Sequence, residues 1–363
     1  MHFPLIVVGA NYLAPDSIFQ SSRTVSAQVE AIRAGRSVAP RASERILRKQ
    51  YLRATARKPV RVMAWGSSRS LPISRQAVGT NSYMNMSASY GVLFDLAALY
   101  SLMERNHNFP ARLIVGLDGW MLNRDVDVRS WMEYGRDVER GLTLVGMRDA
   151  FDDEIEGGSA KEQELLDNLR YLFSPAIFSN TVLGAVEAFH ESGALPVLPP
   201  SLKTAPIDLK KDPWDSDFSY WYPCVAANEV EDRARNWATP NAMPGEQRLE
   251  GDFTAIDPQR IALLKALLRS FAKHRVKLYL FLPPLHPLSY AQMEISPARR
   301  LTVEAEKIFR AIAAELKLPI YGSYDPALSG LEAEDFCTDA LHIRPDVMTR
   351  VFRNTKLADD LRK

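Results

Sequence analysis

The fold class is decided by residues 60–69, which read Val60-Arg61-Val62-Met63-Ala64-Trp65-Gly66-Ser67-Ser68-Arg69. The segment Pro59–Ala64 is short and mostly apolar, as expected for a β-strand that is buried on both faces. The glycine and small polar residues that follow favour a tight turn, because glycine leaves the backbone free and small side chains do not obstruct it. A buried strand that ends in such a turn is typical of a parallel sheet in an α/β protein.

Strand and helix patterns alternate along both ends of the chain. After the turn we predict a strand over Ser82–Met86, a helix over Gly91–Glu104 and a strand over Arg112–Gly116. The C-terminal third repeats the alternation, and it starts with a helix that has Asp257 in the capping position. Its predicted elements are helix Pro258–Lys273, strand Val276–Leu282, helix Pro297–Leu316, strand Leu318–Tyr321 and helix Pro345–Leu361. The pattern predicts a three-layer α/β/α sandwich around a mainly parallel, doubly wound sheet.

The predicted core is interrupted by a large, irregular insertion. Residues 1–58 are interpreted as an N-terminal helical extension, residues 59–123 and 257–363 as two parts of the core, and residues 124–256 as the insertion. We expect the insertion to cap the carboxyl edge of the sheet, where ligands bind in open α/β sheets.

Local patterns within the extension and the insertion are weaker. Helices are predicted over Val25–Gly35 and Ala42–Ala56 in the extension, and over Pro175–His190 in the insertion. The insertion also contains an acidic loop over Asp149–Glu164 and an aromatic cluster within residues 214–222. These aromatic side chains fit a small core of the insertion, and the alternative is a platform on which sugar rings stack.

Charge is balanced overall but uneven along the chain. The 363 residues include 45 basic and 44 acidic ones, so the whole protein has no strong attraction to nucleic acids or membranes. Between Arg33 and Arg61, however, ten residues are basic and only Glu44 is acidic. This run is typical of a solvated amphipathic helix, and the alternative is a surface that meets lipid headgroups or an acidic polymer.

Two features bear on the compartment. The apolar segment Phe3–Ala10 is too short to span a membrane, and it is either the trailing end of an anchor or an ordinary buried strand. Cys224 and Cys337 are too few for a disulfide scaffold and lack the spacing of a metal site. A single bridge between them stays open, although Cys337 fits a buried structural thiol.

Two motifs far apart in the chain carry the candidate chemistry. Ser67 and Ser68 lie on the turn after an early strand, and Asp339-Ala340-Leu341-His342 follows the last predicted strand. In a doubly wound sheet both positions lie at the same carboxyl edge, so they can meet over one crevice. A serine, a histidine base and an acid that orients it form the set needed for nucleophilic catalysis. Each motif alone also fits a turn or a helix start, and Gly66–Arg69 fits a phosphate-binding turn.

These residues resemble the SGNH, or GDSL-type, hydrolase superfamily. The match is closer to a membrane-anchored bacterial branch that carries four motifs, here found at Gly66–Arg69, Gly116–Asn123, Pro283–Pro287 and Asp339–His342. A more distant resemblance extends to the DltD and AlgJ/AlgX proteins of acyl transfer to cell-surface polymers. The resemblance implies a flavodoxin-like SGNH fold, no cofactor and no metal ion.

The resemblance also implies a role for each motif residue. Ser68 would attack an ester carbonyl, His342 would be the general base, and Asp339 would orient the imidazole. The oxyanion would be held by the amide of Ser68, the amide of Tyr90 and a side chain near Gly116.

The sequence departs from the family pattern at three positions. Tyr90 aligns with a glycine of the family pattern, and it can still offer a backbone N–H. Ser67 replaces the aspartate that precedes the nucleophile, and Asp118 replaces an asparagine that donates to the oxyanion. Because an ionised carboxylate cannot donate, either Asn123 reaches the site, or Asp118 is protonated, or activity is weak or absent.

Two further residues have open roles. Arg69 either binds an anionic group of the substrate or pairs with a buried acid such as Asp118, and we expect the buried pair. His286, after the Pro283-Pro284 pair, is either a polar group of the crevice or a loop histidine.

The sequence thus predicts a serine esterase or acyltransferase that acts on an acylated carbohydrate or cell-envelope polymer, without nucleic acid. The alternatives are a non-catalytic binding or scaffold member of a polysaccharide assembly or export system, and an unrelated phosphate-binding protein. The expected location is periplasmic or otherwise extracytoplasmic, with attachment to the membrane and to membrane-bound acyl-transfer partners left open; the cytoplasm is also compatible with the sequence.

Overall fold

Five short strands form one sheet, and every neighbouring pair is parallel. The computed structural model describes residues 22–38, 43–126, 128–156, 214–220, 222–237, 253–295 and 300–362. The strands are β1 (Val62–Trp65), β2 (Tyr83–Asn85), β3 (Arg112–Gly116), β4 (Lys277–Leu282) and β5 (Ile320–Gly322), in the order β2-β1-β3-β4-β5. The predicted α/β class with a parallel sheet between helices is confirmed.

The winding of the sheet reverses at β1. The chain passes from β1 to β2 on one side, crosses back to β3 on the other side, and continues outward through β4 and β5. A reversal of this kind leaves a crevice outside the carboxyl ends of the strands. The turn that carries Ser68 directly follows β1, so it begins at this crevice.

Helices cover both faces of the sheet because side chains of each strand point alternately to the two sides. The helices are α1 (Ser22–Arg33), α2 (Glu44–Ala54), α3 (Arg75–Val78), α4 (Leu93–Asn106), α5 (Arg136–Leu144), α6 (Asp152–Glu156), α7 (Ala227–Trp237), α8 (Pro258–Lys273), α9 (Pro287–Ile295), α10 (Arg300–Leu316), α11 (Pro345–Asn354) and α12 (Leu357–Arg362). Met63 and Trp65 of β1 join the larger core with α4 and α8, whereas Val62 and Ala64 join a second core with α11 and α12.

The N-terminal extension packs on the larger core. Val29 of α1 and Leu52 of α2 are buried there, and Ser43 caps the start of α2. The basic run is not simply a solvated face, because the side chains of Arg45 and Arg48 are almost fully buried.

Some elements differ from the sequence predictions. The insertion is less irregular than expected, since it contains α5. Gly141 of α5 packs so close to α4 that a Cβ there would lie 2.0 Å from the Ala97 carbonyl oxygen. The prediction of a single helix over Pro345–Leu361 is wrong, because the chain breaks between α11 and α12, where Lys356 has a φ of 61°. Helix α9 was not predicted. The expectations for Phe3–Ala10 and Pro175–His190 fall outside the described residues, and none of the described helices has the length and apolarity of a membrane span.

Candidate active site

Ser68 lies on a tight turn at the carboxyl end of β1. Residues Ser68–Ser70 form one 3₁₀ turn, and the Ser67 hydroxyl at its start accepts the Arg69 N–H at 3.1 Å. From the end of β2, the side-chain amide of Asn85 donates to the Ser70 carbonyl at 2.9 Å and to two carbonyls just beyond it. Because these bonds fix the backbone on both sides, the Ser68 side chain is presented in one direction, half-buried at the crevice.

The second motif folds into a loop that orients its own imidazole. The Oδ1 atom of Asp339 accepts the backbone N–H groups of Leu341 and His342 at 2.8 and 3.0 Å. The His342 carbonyl in turn accepts the Cys337 N–H at 3.0 Å. The acid and the histidine ring are therefore held on the same side of the loop.

The structure brings Ser68, His342 and Asp339 together. The Nε2 atom of His342 lies 3.0 Å from the Ser68 hydroxyl oxygen, and its Nδ1 atom lies 2.8 and 2.9 Å from the two carboxylate oxygens of Asp339. Since Nδ1 faces a carboxylate, it carries the ring proton, and Nε2 is left to accept the hydroxyl proton of Ser68. This is the hydrogen-bonded chain that general-base activation of a serine requires.

The environment of Asp339 keeps it ionised. Burial alone would raise the pKa of this carboxyl, but the His342 ring and the two backbone N–H donors outweigh it and lower the pKa to about 2. An anionic Asp339 favours the Nδ1-protonated ring and stabilises the imidazolium that forms when Ser68 loses its proton. The side chains of His342 and Asp339 keep 11% and 20% of their surface, so the hydrogen-bonded chain lies near the protein surface and not in the core.

The segment that contains Tyr90 packs against the turn that carries Ser68. The Ala88 N–H donates to the Gly66 carbonyl at 3.1 Å, and a Cβ added at Gly91 would lie only 2.6 Å from the same oxygen. This close approach sets the segment with Tyr90 directly against the turn with Ser68. Among the described residues, no acceptor is bonded to the amide of Ser68 or of Tyr90, so both are available to an oxyanion.

Tyr90 has a backbone conformation that glycine would adopt more easily. Its φ is 55°, in the left-handed region, and 46% of the residue is exposed. A non-glycine residue in this region costs of order 1 kcal/mol and persists only where its surroundings hold it. Tyr90 thus has a backbone conformation that suits glycine, and the residue is partly exposed.

Arg69 is directed into the interior of the protein and not toward solvent. Its Nη1 donates to Asp118 at 2.7 Å, its Nη2 donates to the carbonyls of Pro283 and Pro284, and its guanidinium lies 5.4 Å from the Tyr324 ring centre. Both members of the pair are buried, with 1% and 0% of their surface exposed.

The buried pair decides between the two roles considered for Arg69, since it makes the arginine a structural partner of Asp118. Burial raises the pKa of Asp118, and the Arg69 charge and the neighbouring Ser67 hydroxyl oppose that effect. Ser67 itself is fully buried, so it does not face a substrate. In its bond to Arg69 the Oδ1 atom of Asp118 accepts, so this carboxyl would supply a third donor only with a proton on Oδ2.

Neither remaining candidate joins the triad. The side-chain oxygen of Asn123 accepts the Asp125 N–H at 2.9 Å, and its backbone pairs with Ile256, so no described contact links it to Ser68. His286 is buried against Phe336, and its Nδ1 accepts the Leu288 N–H at 3.2 Å. Burial lowers the pKa of His286, which favours a neutral ring that packs the loop under the motif.

Tyr222 contacts two members of the triad, and the sequence reading did not assign it a role there. Its hydroxyl donates to the Ser68 carbonyl at 3.1 Å, and its ring lies 4.2 Å from the His342 ring. The expectation of a free structural thiol at Cys337 is wrong, because Cys337 forms a disulfide with Cys224. The bridge joins the segment of Tyr222 to the loop of His342, a contact across 113 residues that no local pattern reveals.

No protein-family model matches the chain, and no curated protein matches it. Within the described residues, no group of three or more histidine, cysteine, aspartate and glutamate side chains is arranged to hold a metal ion.

Proposed function

We propose that this protein is a serine esterase or O-acyltransferase of the SGNH type that works through an acyl-serine intermediate. The observation that carries the proposal is the continuous hydrogen-bonded chain from the Ser68 hydroxyl through His342 to Asp339, with contacts of 3.0 and 2.8 Å. The parallel sheet and the position of Ser68 after β1 support the same assignment.

The proposed reaction has two halves. In the first, the Ser68 oxygen attacks an ester carbonyl carbon, its proton passes to Nε2 of His342, and the anionic oxygen is bound by the amides of Ser68 and Tyr90. The C–O bond to the leaving alcohol then breaks, and the alcohol takes the proton from His342. In the second half, His342 deprotonates water or an acceptor hydroxyl, which attacks the acyl-serine and frees Ser68.

For the substrate we propose an acylated carbohydrate or cell-envelope polymer, and for the location an extracytoplasmic compartment. The disulfide between Cys224 and Cys337 supports the location, because structural disulfides persist in oxidising compartments. Tyr90, which is 46% exposed on the segment packed against the Ser68 turn, is compatible with a sugar substrate, since aromatic faces pack against the apolar faces of sugar rings.

A second candidate is a non-catalytic binding component with the same fold. The observation that favours it is the engagement of Asp118 by Arg69, which leaves two backbone amides where the family has two amides and an asparagine. Loss of one oxyanion donor typically lowers the rate about 100- to 1000-fold. Complete absence of ester hydrolysis therefore distinguishes the two candidates better than weak hydrolysis does.

The test is hydrolysis of p-nitrophenyl acetate by the wild-type protein, the Ser68→Ala variant and a Ser70→Ala control. Ser70 lies on the same turn but has no contact with His342, so its variant is matched in position and chemistry. We expect a burst of p-nitrophenol in the wild type and the control but not in Ser68→Ala. Equal rates for all three folded proteins would leave the binding-component assignment.

A further inference from the structure

The segment between β2 and α4 is bonded to the N-terminal helix α2 at one residue. All three polar groups of Ser89 are bonded to α2. Its N–H and hydroxyl donate to the two carboxylate oxygens of Glu44 at 2.7 and 2.9 Å, and its carbonyl accepts from Nη2 of Arg45 at 3.0 Å. Residue 89 is therefore fixed from outside the sheet.

The other end of the segment is held by the same helix through one intermediate. Arg45 bonds both carboxylate oxygens of Asp95, at 2.6 and 3.2 Å, and Asp95 accepts the Val92 N–H at 2.8 Å. Asp95 is fully buried and Arg45 almost so, so this pair is shielded from solvent. Glu44 has its own cationic neighbour, because Arg48 lies 3.9 Å from its carboxylate.

Tyr90 lies between the two anchored ends. Its neighbours on both sides are bonded, while its own N–H has no acceptor among the described residues and its φ is 55°. Left-handed backbone is disfavoured for residues with a Cβ, so a tyrosine keeps it only when adjacent bonds exclude the relaxed conformations.

We propose that Glu44 and Arg45 are positioning residues that hold the Tyr90 N–H in place as an oxyanion donor. The N-terminal extension thereby takes part in building the catalytic site, although it touches none of the reacting atoms. This inference rests on the proposed function, and it explains how a tyrosine serves where a glycine would adopt the conformation without support.

The alternative is that Glu44 only stabilises the start of α2. An acid in the first turn of a helix interacts favourably with the helix dipole and needs no partner on another segment. Here both carboxylate oxygens are bonded to Ser89, on a segment 45 residues away in sequence. The two roles differ in what a glycine at position 90 should do, because glycine needs no support to keep a positive φ.

The test is a double-mutant cycle with Glu44→Ala and Tyr90→Gly, followed by the kcat and KM of p-nitrophenyl acetate hydrolysis. We expect Glu44→Ala to lower kcat about 10-fold or more with little change in KM, because the donor acts mainly in the transition state. In the Tyr90→Gly background the same change should cost less than about 3-fold. Glu304→Ala, which removes a surface glutamate paired with Lys307, is the matched control and should change neither constant. An equal loss in both backgrounds, or no loss in either, would overturn the inference.

A measurement independent of turnover keeps the two proposals separable. With ¹⁵N-labelled tyrosine, the Tyr90 amide resonance is identified by its loss in Tyr90→Phe. We expect it to shift in Glu44→Gln, which keeps the size of the side chain and the fold, and not in Glu304→Ala. A shift together with equal esterase rates in the wild type and Ser68→Ala would refute the proposed function but not the support of residue 90. An unshifted resonance would refute that support, whatever the esterase result.

Discussion

Ser68 and Arg69 are neighbours on one turn, yet they face opposite environments. Ser68 reaches His342 and Asp339, whose side chains keep 11% and 20% of their surface. Arg69 reaches Asp118, and both are sealed inside the protein. The turn is thus divided: Ser68 faces the hydrogen-bonded His342 and Asp339, whereas Arg69 anchors the turn to the core.

This division predicts that activity and stability are separable within two consecutive residues. A partly exposed hydrogen bond contributes little to folding, while removing one partner of a buried ion pair leaves an uncompensated charge. Variants on the Ser68 side should therefore lose catalysis, and variants on the Arg69 side should lose stability.

The largest effect is expected from His342→Ala. Loss of the base should lower kcat for ester hydrolysis by about 10⁴-fold or more, equivalent to about 5.5 kcal/mol of transition-state stabilisation. The free energy of unfolding should change by only about 1 kcal/mol, since one partly exposed bond network is lost. Steady-state kinetics and urea unfolding measure the two quantities. A loss of unfolding free energy larger than the loss of transition-state stabilisation would contradict the separation of activity from stability.

The next effect is expected from Arg69→Met. Asp118 would keep its burial and lose its cation, so the free energy of unfolding should fall by about 3–5 kcal/mol. The double variant Arg69→Met/Asp118→Leu should recover most of that loss, because it removes the buried charge as well as its partner. Urea unfolding of both variants tests this, and a single variant as stable as the wild type would show that the pair does not anchor the turn.

The pH dependence of stability should report on Asp339. Its pKa in the folded protein is about 2, below the ordinary 3.8, so it stabilises the fold above pH ~4 and loses that contribution as the pH falls through about 2. The difference corresponds to about 2 kcal/mol. Asp339→Asn should flatten this part of the stability curve. The test is the free energy of unfolding of both proteins between pH 5 and 2, the range that these pKa values define. Parallel plots of that free energy against pH would contradict the role of the carboxylate.

The smallest effect is expected from Tyr222→Phe. The change removes the hydrogen bond to the Ser68 carbonyl and keeps the ring against His342, at a cost of about 0.5–1.5 kcal/mol in stability. We expect a thermal shift of a few degrees and a kcat within about 10-fold of the wild type. Tyr222→Leu, which also removes the ring, should lower kcat further, and equal rates for the two variants would assign no role to the ring.

Local patterns in the sequence were sufficient for the sheet and for the three triad residues. Strand runs and helical spacing are local signals, and they predicted every strand of the described sheet to within a few residues. The Gly-Ser-Ser-Arg and Asp-x-x-His motifs are also local, and the family resemblance that they carry assigns roles to Ser68, Asp339 and His342.

The remaining parts depend on contacts between distant segments. Glu44 acts on Ser89, Tyr222 on Ser68 and Cys224 on Cys337, and none of these pairs has a local signature. The break between α11 and α12 was missed for a related reason. An apolar pattern at helical spacing continues through Lys356, although the backbone turns to a positive φ there.

The most direct test of Ser68 as the nucleophile is to map the residue that a fluorophosphonate modifies. Such a probe reacts with an activated serine and leaves a covalent adduct, so peptide mass spectrometry identifies the nucleophile without knowledge of the substrate. We expect one adduct, on Ser68, which is absent in Ser68→Ala and forms far more slowly in His342→Ala. An unmodified, folded wild-type protein, or an adduct on another residue, would contradict it.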